Sequence, residues 1–210
     1  SEKLKTIKSV IVGGAPVSYA LAMQVAKSGA NVYATFGMTE TMTHIGLQQL
    51  SPHPEHHYTT LQQIQIANDS RGCLVITGPQ TNNQPIITND LVEIIEDNQF
   101  RWLGRADNVV NSGGYKIQIE KVEAKIAACF YELGMNNRFF TYGKDDEHLG
   151  SKLMLLVEQC DFNKKEVKTA LKASLDKFER PKKIKSLSHF METPTGKIDR
   201  RATLARLKLS

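Results

Sequence analysis

Residues 9–36, SVIVGGAPVSYALAMQVAKSGANVYATF, decide the fold of the first part of the chain. The apolar run 9–12 is typical of a buried parallel strand, and the glycines after it end that strand. Ser18 can cap a helix over 19–28, and 31–36 is a second β-rich run. The segment therefore predicts a βαβ unit with a right-handed crossover. Because two parallel strands do not make a stable sheet alone, we expect either that more of the sheet precedes residue 1 or that the segment packs differently.

A different pattern follows the βαβ unit. Residues 51–60 contain two prolines and three histidines and predict a loop. Short runs of β-forming residues come next, with Asp97-Asn98 as a hairpin turn between the last two. The runs are 61–66, 73–77, 91–95 and 100–103. They predict a small antiparallel β-subdomain over 60–104.

The third section begins near Asp107 with a hairpin that has a glycine-rich tip. An amphipathic helix is predicted over 120–133. Asn163 then caps a second helix, whose apolar face continues to Phe178 and which Pro181 ends. Strands alternate with helices here, which is typical of an α+β domain. The predicted fold class is thus α/β over residues 1–106 followed by α+β over residues 107–210.

Composition and charge narrow the classes of function. The chain has 210 residues, of which 40% are hydrophobic and 23% charged, as in ordinary globular proteins. Residues 1–107 hold 7 Lys and Arg against 9 Asp and Glu, whereas residues 108–210 hold 20 against 13. A basic second half suits nucleic acid, membrane lipid or a phosphorylated cofactor, and is equally typical of a solvated lysine-rich surface. The aromatic residues form no stacking platform and no apolar run is long enough to span a membrane, so we expect neither a nucleic-acid nor a membrane partner.

The three cysteines, Cys73, Cys129 and Cys160, are far apart and form no CxxC pair. This spacing argues against a disulfide framework or a zinc site. Residues 1–8 contain no apolar stretch of a secretory signal. We therefore expect a cytoplasmic location.

Two short motifs contain side chains suited to phosphate chemistry. Phe36-Gly37-Met38-Thr39-Glu40 follows a predicted strand, at the edge of the sheet where α/β folds bind ligands. Glycine lets a backbone approach a phosphate, a threonine hydroxyl can bond a phosphate oxygen, and glutamate oxygen is a preferred ligand of Mg²⁺. Pro194-Thr195-Gly196-Lys197 places a lysine on a loop that we expect to be mobile, where its charge suits a carboxylate and a phosphate.

Six motifs, in order, resemble those of the adenylate-forming superfamily, which includes acyl-CoA and aryl-CoA synthetases, peptide-synthetase adenylation domains and beetle luciferases. They are GGAP (13–16), FGMTE (36–40), TND (88–90), GRAD (104–107), SGGYKI (112–117) and PTGKIDR (194–200). The resemblance covers nearly all of residues 9–201. It implies the later part of an enzyme that uses ATP and Mg²⁺ to form an acyl-adenylate and then transfers the acyl group to coenzyme A.

The resemblance also implies roles for individual residues. Thr39, Glu40 and Lys197 would be catalytic, with Glu40 binding Mg²⁺ and Lys197 promoting adenylation. Asp107 would be the hinge about which the second domain rotates. Contacts with AMP or ATP are implied for Gly13, Gly14 and Ala15 beside adenine and the acyl group, for Phe36 against adenine, for Gly37, for Thr39 at the phosphate, and for Asp90 and Arg105 at the ribose hydroxyls. The channel for the coenzyme A thiol would be lined by Ser112, Gly113 and Gly114.

The chain departs from the family pattern in two ways. Asn89 stands where the family usually has glycine, directly before the implied ribose-binding Asp90. The early Ser/Thr/Gly-rich phosphate loop of the family is not found in these 210 residues. We therefore predict that the chain does not catalyse adenylation by itself.

The acid is indicated by finer similarity. The runs 38–45 and 111–117 are most similar to those of o-succinylbenzoate–CoA ligases of menaquinone biosynthesis, which implies o-succinylbenzoate as the substrate. His44, just past the phosphate-binding turn, is a candidate for the acyl pocket. The other histidines of this region, His53, His56 and His57, are interpreted as a solvent loop rather than a metal site.

Other hypotheses remain open at this stage. A domain that loads a carrier protein, or an aryl- or fatty-acyl-CoA synthetase, would contain the same motifs. A non-catalytic basic binding module built on residues 108–210 would account for the charge. A scaffold that kept the fold and lost the chemistry is disfavoured by the complete set of Thr39, Glu40, Asp90, Arg105 and Lys197.

Overall fold

The structure, a computed structural model of the chain, describes residues 6–14, 16–159 and 161–209. Ala15 and Cys160, both named above, lie outside the described residues. Contacts divide the chain into two compact units, Ser1–Asn108 and Val109–Ser210. None of the helices in the described part of the chain is long and apolar enough to cross a membrane.

The first unit contains one eight-stranded sheet and one helix. Its elements are β1 (Val10–Val12), α1 (Tyr19–Ala26), β2 (Val32–Gly37), β3 (His44–Ser51), β4 (Tyr58–Thr60), β5 (Gln65–Asn68), β6 (Cys73–Thr77), β7 (Ile86–Glu96) and β8 (Gln99–Arg105). The strand order is β1-β2-β3-β4-β8-β7-β6-β5. β1 and β2 are parallel, which confirms the βαβ unit, and the other neighbours are antiparallel.

The strands of the predicted antiparallel β-subdomain belong to the same sheet as the βαβ unit. β3, which the sequence did not predict, pairs with β2 on one side and β4 on the other. The first predicted run of the subdomain, 61–66, is also shifted, because the strand is Gln65–Asn68. Ser18 caps α1 by accepting a hydrogen bond from the Leu21 amide at 3.2 Å, as predicted. The helix nevertheless ends at Ala26, before the predicted residue 28.

The second unit is an α+β domain, as predicted. It contains β9 (Val109–Ser112), β10 (Tyr115–Gln118), α2 (Ile119–Glu132), β11 (Phe139–Asp146), β12 (Gly150–Glu158), α3 (Lys164–Ser174), β13 (Lys183–Leu187) and α4 (Arg200–Leu209). β12 pairs antiparallel with β11 and parallel with β13, so it lies inside the five-stranded sheet. Its residues Leu153–Glu158 are all buried, as expected for a strand covered on both faces.

Helices cover the sheet of the second unit. The apolar face of α2 is confirmed: Val122, Ile126 and Phe130 are buried in one cluster with β12 and α3. At the start of α3, the Asn163 side chain accepts hydrogen bonds from the amides of residues 165 and 166, which confirms the predicted cap.

The predicted end of α3 is wrong. The helix ends at Ser174, well before Pro181, and Phe178 lies outside it. At this end the backbone of Leu175 is extended, and the Arg180 side chain donates hydrogen bonds to the carbonyls of Lys172 at 2.8 Å and Leu175 at 3.0 Å. Carbonyls at a helix C-terminus lack partners within the helix, and a cationic side chain there satisfies them.

Candidate functional site

The turn between β2 and β3 contains the predicted phosphate-binding residues. Gly37 allows this turn because a Cβ there would lie 2.6 Å from the Thr43 carbonyl oxygen and 2.7 Å from the His44 Cα. Thr39 and Glu40 are exposed on a short 3₁₀ turn. Their side chains are therefore available to a ligand at the carboxyl end of a parallel strand.

Thr41, which the sequence did not single out, fixes the shape of this turn. Its hydroxyl is fully buried and donates towards the carbonyls of Met38 at 3.0 Å and Thr43 at 2.7 Å, while the Met38 amide donates to it at 3.1 Å. A buried hydroxyl that is lost leaves its backbone partners unsatisfied, which costs about 1–3 kcal/mol. Thr41 thus supports the geometry in which Thr39 and Glu40 are presented.

The glycines after β1 lie beside β2. A Cβ at Gly13 would overlap the Thr35 hydroxyl, so this backbone passes closer to β2 than other residues permit. Gly14 has a φ of 86°, in the left-handed region, with open space around it. Two of the three residues predicted to lie beside adenine thus form a narrow loop after a parallel strand.

Phe36 lies in an aromatic cluster rather than free at the end of its strand. Its ring makes edge contacts with Tyr58 and Phe100, at centroid distances of 5.3 and 5.1 Å. It is partly buried against the core of the antiparallel strands. A contact with adenine, which the resemblance implies, would therefore use the part of the ring that this cluster leaves exposed.

Asp90 and Arg105, the predicted ribose-binding pair, lie next to each other. They are partners in the register of β7 and β8, and the Arg105 Nη1 is 3.9 Å from the Asp90 Oδ1. The indole Nε1 of Trp102 donates to the same Asp90 oxygen at 2.9 Å. The Asp90 side chain is only 13% exposed. The Trp102 indole and the nearby Arg105 guanidinium together orient its carboxylate.

Arg105 also contacts the predicted hinge residue. Its Nε and Nη2 donate to the two carboxylate oxygens of Asp107, each at 3.0 Å. This two-point pair with Arg105 lowers the pKa of Asp107 below its usual value. Three predicted residues, Asp90, Arg105 and Asp107, therefore form one connected group.

The unusual Asn89 has a specific partner. The Asn89 side-chain oxygen accepts a hydrogen bond from the Arg71 Nη1 at 3.1 Å, and the Arg71 Nη2 donates to the Thr88 carbonyl at 3.1 Å. The Arg71 Nε also donates a hydrogen bond to the Asp69 Oδ2 at 2.8 Å, which fixes the guanidinium. Asn89 thus ties the segment before Asp90 to the turn before β6, a contact that glycine could not make.

The histidines of the first unit form no common site in the structure. His44 is partly buried, and its Nδ1 is 3.3 Å from the Thr43 hydroxyl. His57 is 3.8 Å from Glu55, whereas His53 and His56 are exposed. Within residues 6–14, 16–159 and 161–209, no group of three or more His, Cys, Asp or Glu side chains is placed to hold a metal ion.

Lys197, in the second unit, lies at a turn that is closed by hydrogen bonds. The Thr193 amide donates to the Lys197 carbonyl at 2.8 Å, and the Lys197 amide donates to the Thr193 hydroxyl at 3.2 Å. Gly196 has a φ of 75°, which suits glycine in such a turn. The segment is thus a hydrogen-bonded turn that presents an exposed lysine, within the loop that the sequence predicted.

The predicted thiol channel corresponds to the β9–β10 hairpin. Ser112 is buried, and Gly113 and Gly114 form the tip with φ values of 60° and 83°. The Gly113 amide donates to the Leu149 carbonyl at 2.9 Å, which fixes the tip against the turn between β11 and β12. The tip is therefore held by a backbone hydrogen bond, and its two glycines carry no side chains of their own.

An exposed aromatic pair follows this tip. Tyr115 stacks on Phe178, with ring centroids 3.6 Å apart, although the two residues are 51% and 41% exposed. The Lys177 amine lies 6.0 Å from the Phe178 ring centroid. The sequence assigned Phe178 to a helix face and so missed the pair. The only available signal was Tyr115 within the SGGYKI motif.

The chain is similar in sequence to known ligases. No family model matches the chain. The vibriobactin-specific 2,3-dihydroxybenzoate–AMP ligase of Vibrio cholerae is 26% identical over 237 residues, which covers 97% of this chain and 43% of that protein. The 2-succinylbenzoate–CoA ligase of Haemophilus influenzae is 25% identical over 193 residues, which covers 83% and 41%.

A solved structure shows the same fold. The o-succinylbenzoate CoA synthetase of Bacillus subtilis, in complex with the acyl-adenylate intermediate OSB-AMP, matches with a TM-score of 0.75 at 20% identity. The match covers 93% of this chain and 46% of that one. The chain thus spans less than half the length of these relatives. They are adenylate-forming ligases, and the chain has the fold of the C-terminal part of such enzymes.

Proposed function

We propose, from the premise that this chain has the fold and the relatives of adenylate-forming ligases, that it is the C-terminal part of an ATP-dependent acid–CoA ligase. The enzyme would join a carboxylic acid to the AMP portion of ATP, releasing pyrophosphate, and then transfer the acyl group to the thiol of coenzyme A, releasing AMP. The observation that carries the proposal is the pairing of Asp90 with Arg105, 3.9 Å apart on neighbouring strands and fixed by Trp102. A carboxylate next to a guanidinium offers an acceptor and donors to a ribose diol.

In the proposed adenylation step, the turn after β2 binds the phosphates. The exposed hydroxyl of Thr39 donates to a phosphate oxygen, and the backbone at Gly37 lets the ligand approach closely. Mg²⁺ is usually held by one or two carboxylates together with substrate phosphates, and the exposed Glu40 fits that mode. When bound, the ion would neutralise phosphate charge. Gly13 and Gly14 would leave room for the base beside β2.

Lys197 is the proposed electrostatic catalyst of adenylation. Two negative groups, the attacking carboxylate and the α-phosphate, repel each other unless positive charge lies between them. An ammonium group on an ordered turn supplies that charge without reorganisation at the moment of reaction. In the proposal, rotation at Asp107 brings the turn to the nucleotide for adenylation and removes it for thioester formation.

The glycine tip of the β9–β10 hairpin would then line the path of the coenzyme A thiol. Its lack of side chains suits a narrow passage for the pantetheine arm, and Ser112 would contact that arm. The exposed Tyr115–Phe178 pair offers an aromatic face for a nucleotide base. Residues 108–210 hold 20 Lys and Arg against 13 Asp and Glu, which favours a phosphorylated thiol.

For the acid, we propose o-succinylbenzoate, as in menaquinone biosynthesis, with His44 facing the acyl group. The named relative from Haemophilus influenzae and the Bacillus subtilis structure support this choice.

A carrier protein in place of coenzyme A is the second candidate, because a flexible phosphopantetheine arm would use the same glycine tip. Discharge of the acyl-adenylate by free coenzyme A alone would favour coenzyme A over a carrier protein as the acceptor. The enzyme would act in the cytoplasm, where its cosubstrates are found.

The test uses the intact protein that contains this chain. We expect o-succinylbenzoate-dependent exchange of pyrophosphate into ATP, and a loss of at least about 100-fold in that exchange for Lys197→Ala. Lys168→Ala, which removes another exposed lysine of the second unit, is the matched control and should exchange normally. Thioester formation from supplied acyl-adenylate should be largely retained in both variants. Equal loss of both half-reactions in Lys197→Ala would contradict the proposed role.

The same assay tests the acid. Exchange with benzoate or fatty acids, but not with o-succinylbenzoate, would reject the proposed acid. We expect no exchange from the 210-residue chain alone.

A further inference from the structure

Glu123 is a largely buried carboxylate that the proposed chemistry does not use. It lies on α2 with its side chain 17% exposed. One oxygen, Oε1, accepts hydrogen bonds from the amide of Thr141 at 2.6 Å and from its hydroxyl at 3.1 Å. The other, Oε2, accepts from the Arg200 Nη2 at 2.7 Å. Burying a carboxylate is costly unless it is paired and hydrogen-bonded. Burial raises the pKa of Glu123 above its usual value, and the contacts with Arg200 and Thr141 oppose that shift.

Arg200 lies three residues after Lys197, in the same continuous piece of structure. Its guanidinium carbon is 5.4 Å from the centroid of the Phe140 ring, and Ile198 packs in the same cluster as Phe140. Asp199 caps α4 by accepting a hydrogen bond from the Ala202 amide at 2.9 Å. The residues that follow Lys197 are thus bound to β11 and α4, and Arg200 adds an ionic contact to α2.

The other end of the turn is held in a similar way. The Arg138 guanidinium donates to the Glu192 carboxylate through Nη1. It also donates to the buried Glu158 carboxylate, from Nε at 2.6 Å and from Nη2 at 2.7 Å. Glu158 also accepts from the Phe190 amide at 2.7 Å. The segment between Phe190 and Arg200 is therefore tied to the sheet at both ends, and the Lys197 turn projects between the two ties.

We propose that Glu123, acting through Arg200, is a positioning residue that sets the direction in which Lys197 projects during adenylation. This inference rests on the proposed function. A catalytic charge that is displaced by about 1 Å can lose about 100-fold in rate, so a modest rotation of the turn is enough to matter. Glu123 itself touches neither substrate nor nucleotide in this proposal.

The consequence is a selective defect. Glu123→Gln keeps an oxygen acceptor for Thr141 but removes the charge that holds Arg200. We expect kcat for acid-dependent adenylation to fall about 10-fold, with the KM for ATP little changed, because the lysine is misplaced in the transition state more than in binding. Thioester formation from supplied acyl-adenylate should be unchanged, since Lys197 takes no part in that step.

A matched control separates positioning from general destabilisation. Glu179 is another poorly exposed carboxylate of the second unit, at 14%, and it pairs with Lys125 of the same helix α2. Glu179→Gln removes an ion pair of similar kind that is not attached to the Lys197 turn. We expect it to leave adenylation unchanged. Arg200→Lys, which keeps the charge but loses the planar group over Phe140, should show an intermediate loss.

The decisive measurement is the double variant in the intact protein. If Glu123 and Arg200 form one link, Glu123→Gln with Arg200→Gln should lose about as much adenylation as the worse single variant, and not the product of the two losses. Multiplied losses, an equal loss of thioester formation, or a Glu123→Gln variant equal to the Glu179→Gln control would overturn the inference.

The wild type and Lys197→Ala, measured in the same assays, distinguish the two levels of proposal. Wild-type exchange that Lys197→Ala abolishes, together with an unaffected Glu123→Gln variant, would overturn the positioning role alone. A wild type without acid-dependent exchange would overturn the proposed function and the inference together.

Discussion

Alanine at position 37 is expected to destabilise the first unit, because the turn between β2 and β3 leaves no room for a methyl group there. The added Cβ would lie 2.6 Å from the Thr43 carbonyl oxygen, and that backbone must move by about 0.8 Å to reach ordinary contact. Overpacking of this kind costs about 1–3 kcal/mol. The shift also weakens the hydrogen bond from Thr41 to Thr43, which is worth about 1 kcal/mol. We expect a total loss of about 2–4 kcal/mol.

The single tryptophan of the sequence makes this measurable. Trp102 lies on β8 in the first unit, so its fluorescence during urea unfolding reports on that unit. With a urea dependence of about 2 kcal/mol per M, the midpoint for Gly37→Ala should fall by about 1–2 M. Binding of ATP by the intact protein should weaken as well, since the turn presents Thr39.

Gly46→Ala is the matched control for this prediction. Gly46 lies on β3, next to the same turn, but its added Cβ would be 3.3 Å from the Thr59 carbonyl oxygen, a distance that small adjustments can relieve. We expect a loss below about 1 kcal/mol. A Gly37→Ala midpoint within about 0.3 M of the wild type, or a larger loss for Gly46→Ala, would refute this account of the turn.

Three further outcomes follow from the structure. Thr41→Val should lower the stability of the first unit by about 1–3 kcal/mol in the same fluorescence assay, because it removes a buried hydroxyl with three backbone partners; an unchanged midpoint would contradict its role. The hydrogen bonds from Arg138 lower the pKa of Glu158, so its contribution is fully present above the unfolded pKa near 4.5 and is lost as pH falls through the lower folded value. Hydrogen exchange of β12 amides should therefore show less acid destabilisation in Glu158→Gln than in the wild type, and equal slopes would argue against it. Arg71→Ala and Asn89→Gly should be non-additive by about 0.5–1 kcal/mol in urea unfolding, whereas additive losses would mean that the two side chains do not interact.

Local patterns predicted the regular elements well where one face is strongly apolar. The run 73–77 is β6 with the same bounds, and the helix predicted over 120–133 is α2, shifted by one residue. β3 was missed because His44–Ser51 contains two adjacent glutamines and lacks a simple alternation. Its residues pair on both sides with strands that are distant in sequence, and that pairing is a tertiary effect.

Motif positions in the candidate site could be predicted from the sequence, but their supports could not. Asp90 and Arg105 were expected near each other, whereas Trp102 as the donor to Asp90 was not, because the sequence gives no register between β7 and β8. The partner of Asn89 is Arg71, 18 residues away. Contacts of this range depend on how strands align, and a one-residue slip would place each side chain on the other face.

β4 has the shortest pairing with its neighbours in the first sheet, and this matters for chimeras made from related proteins. β4 pairs with β3 through two residue pairs and with β8 through two more. Side-chain packing adds to this short pairing, because the rings of Phe36 on β2, Tyr58 on β4 and Phe100 on β8 contact one another, with centroids 5.1–5.4 Å apart. A chimera that exchanges the segments on either side of residues 52–57 keeps the backbone pairing intact only if these three aromatic side chains are inherited as a matched set.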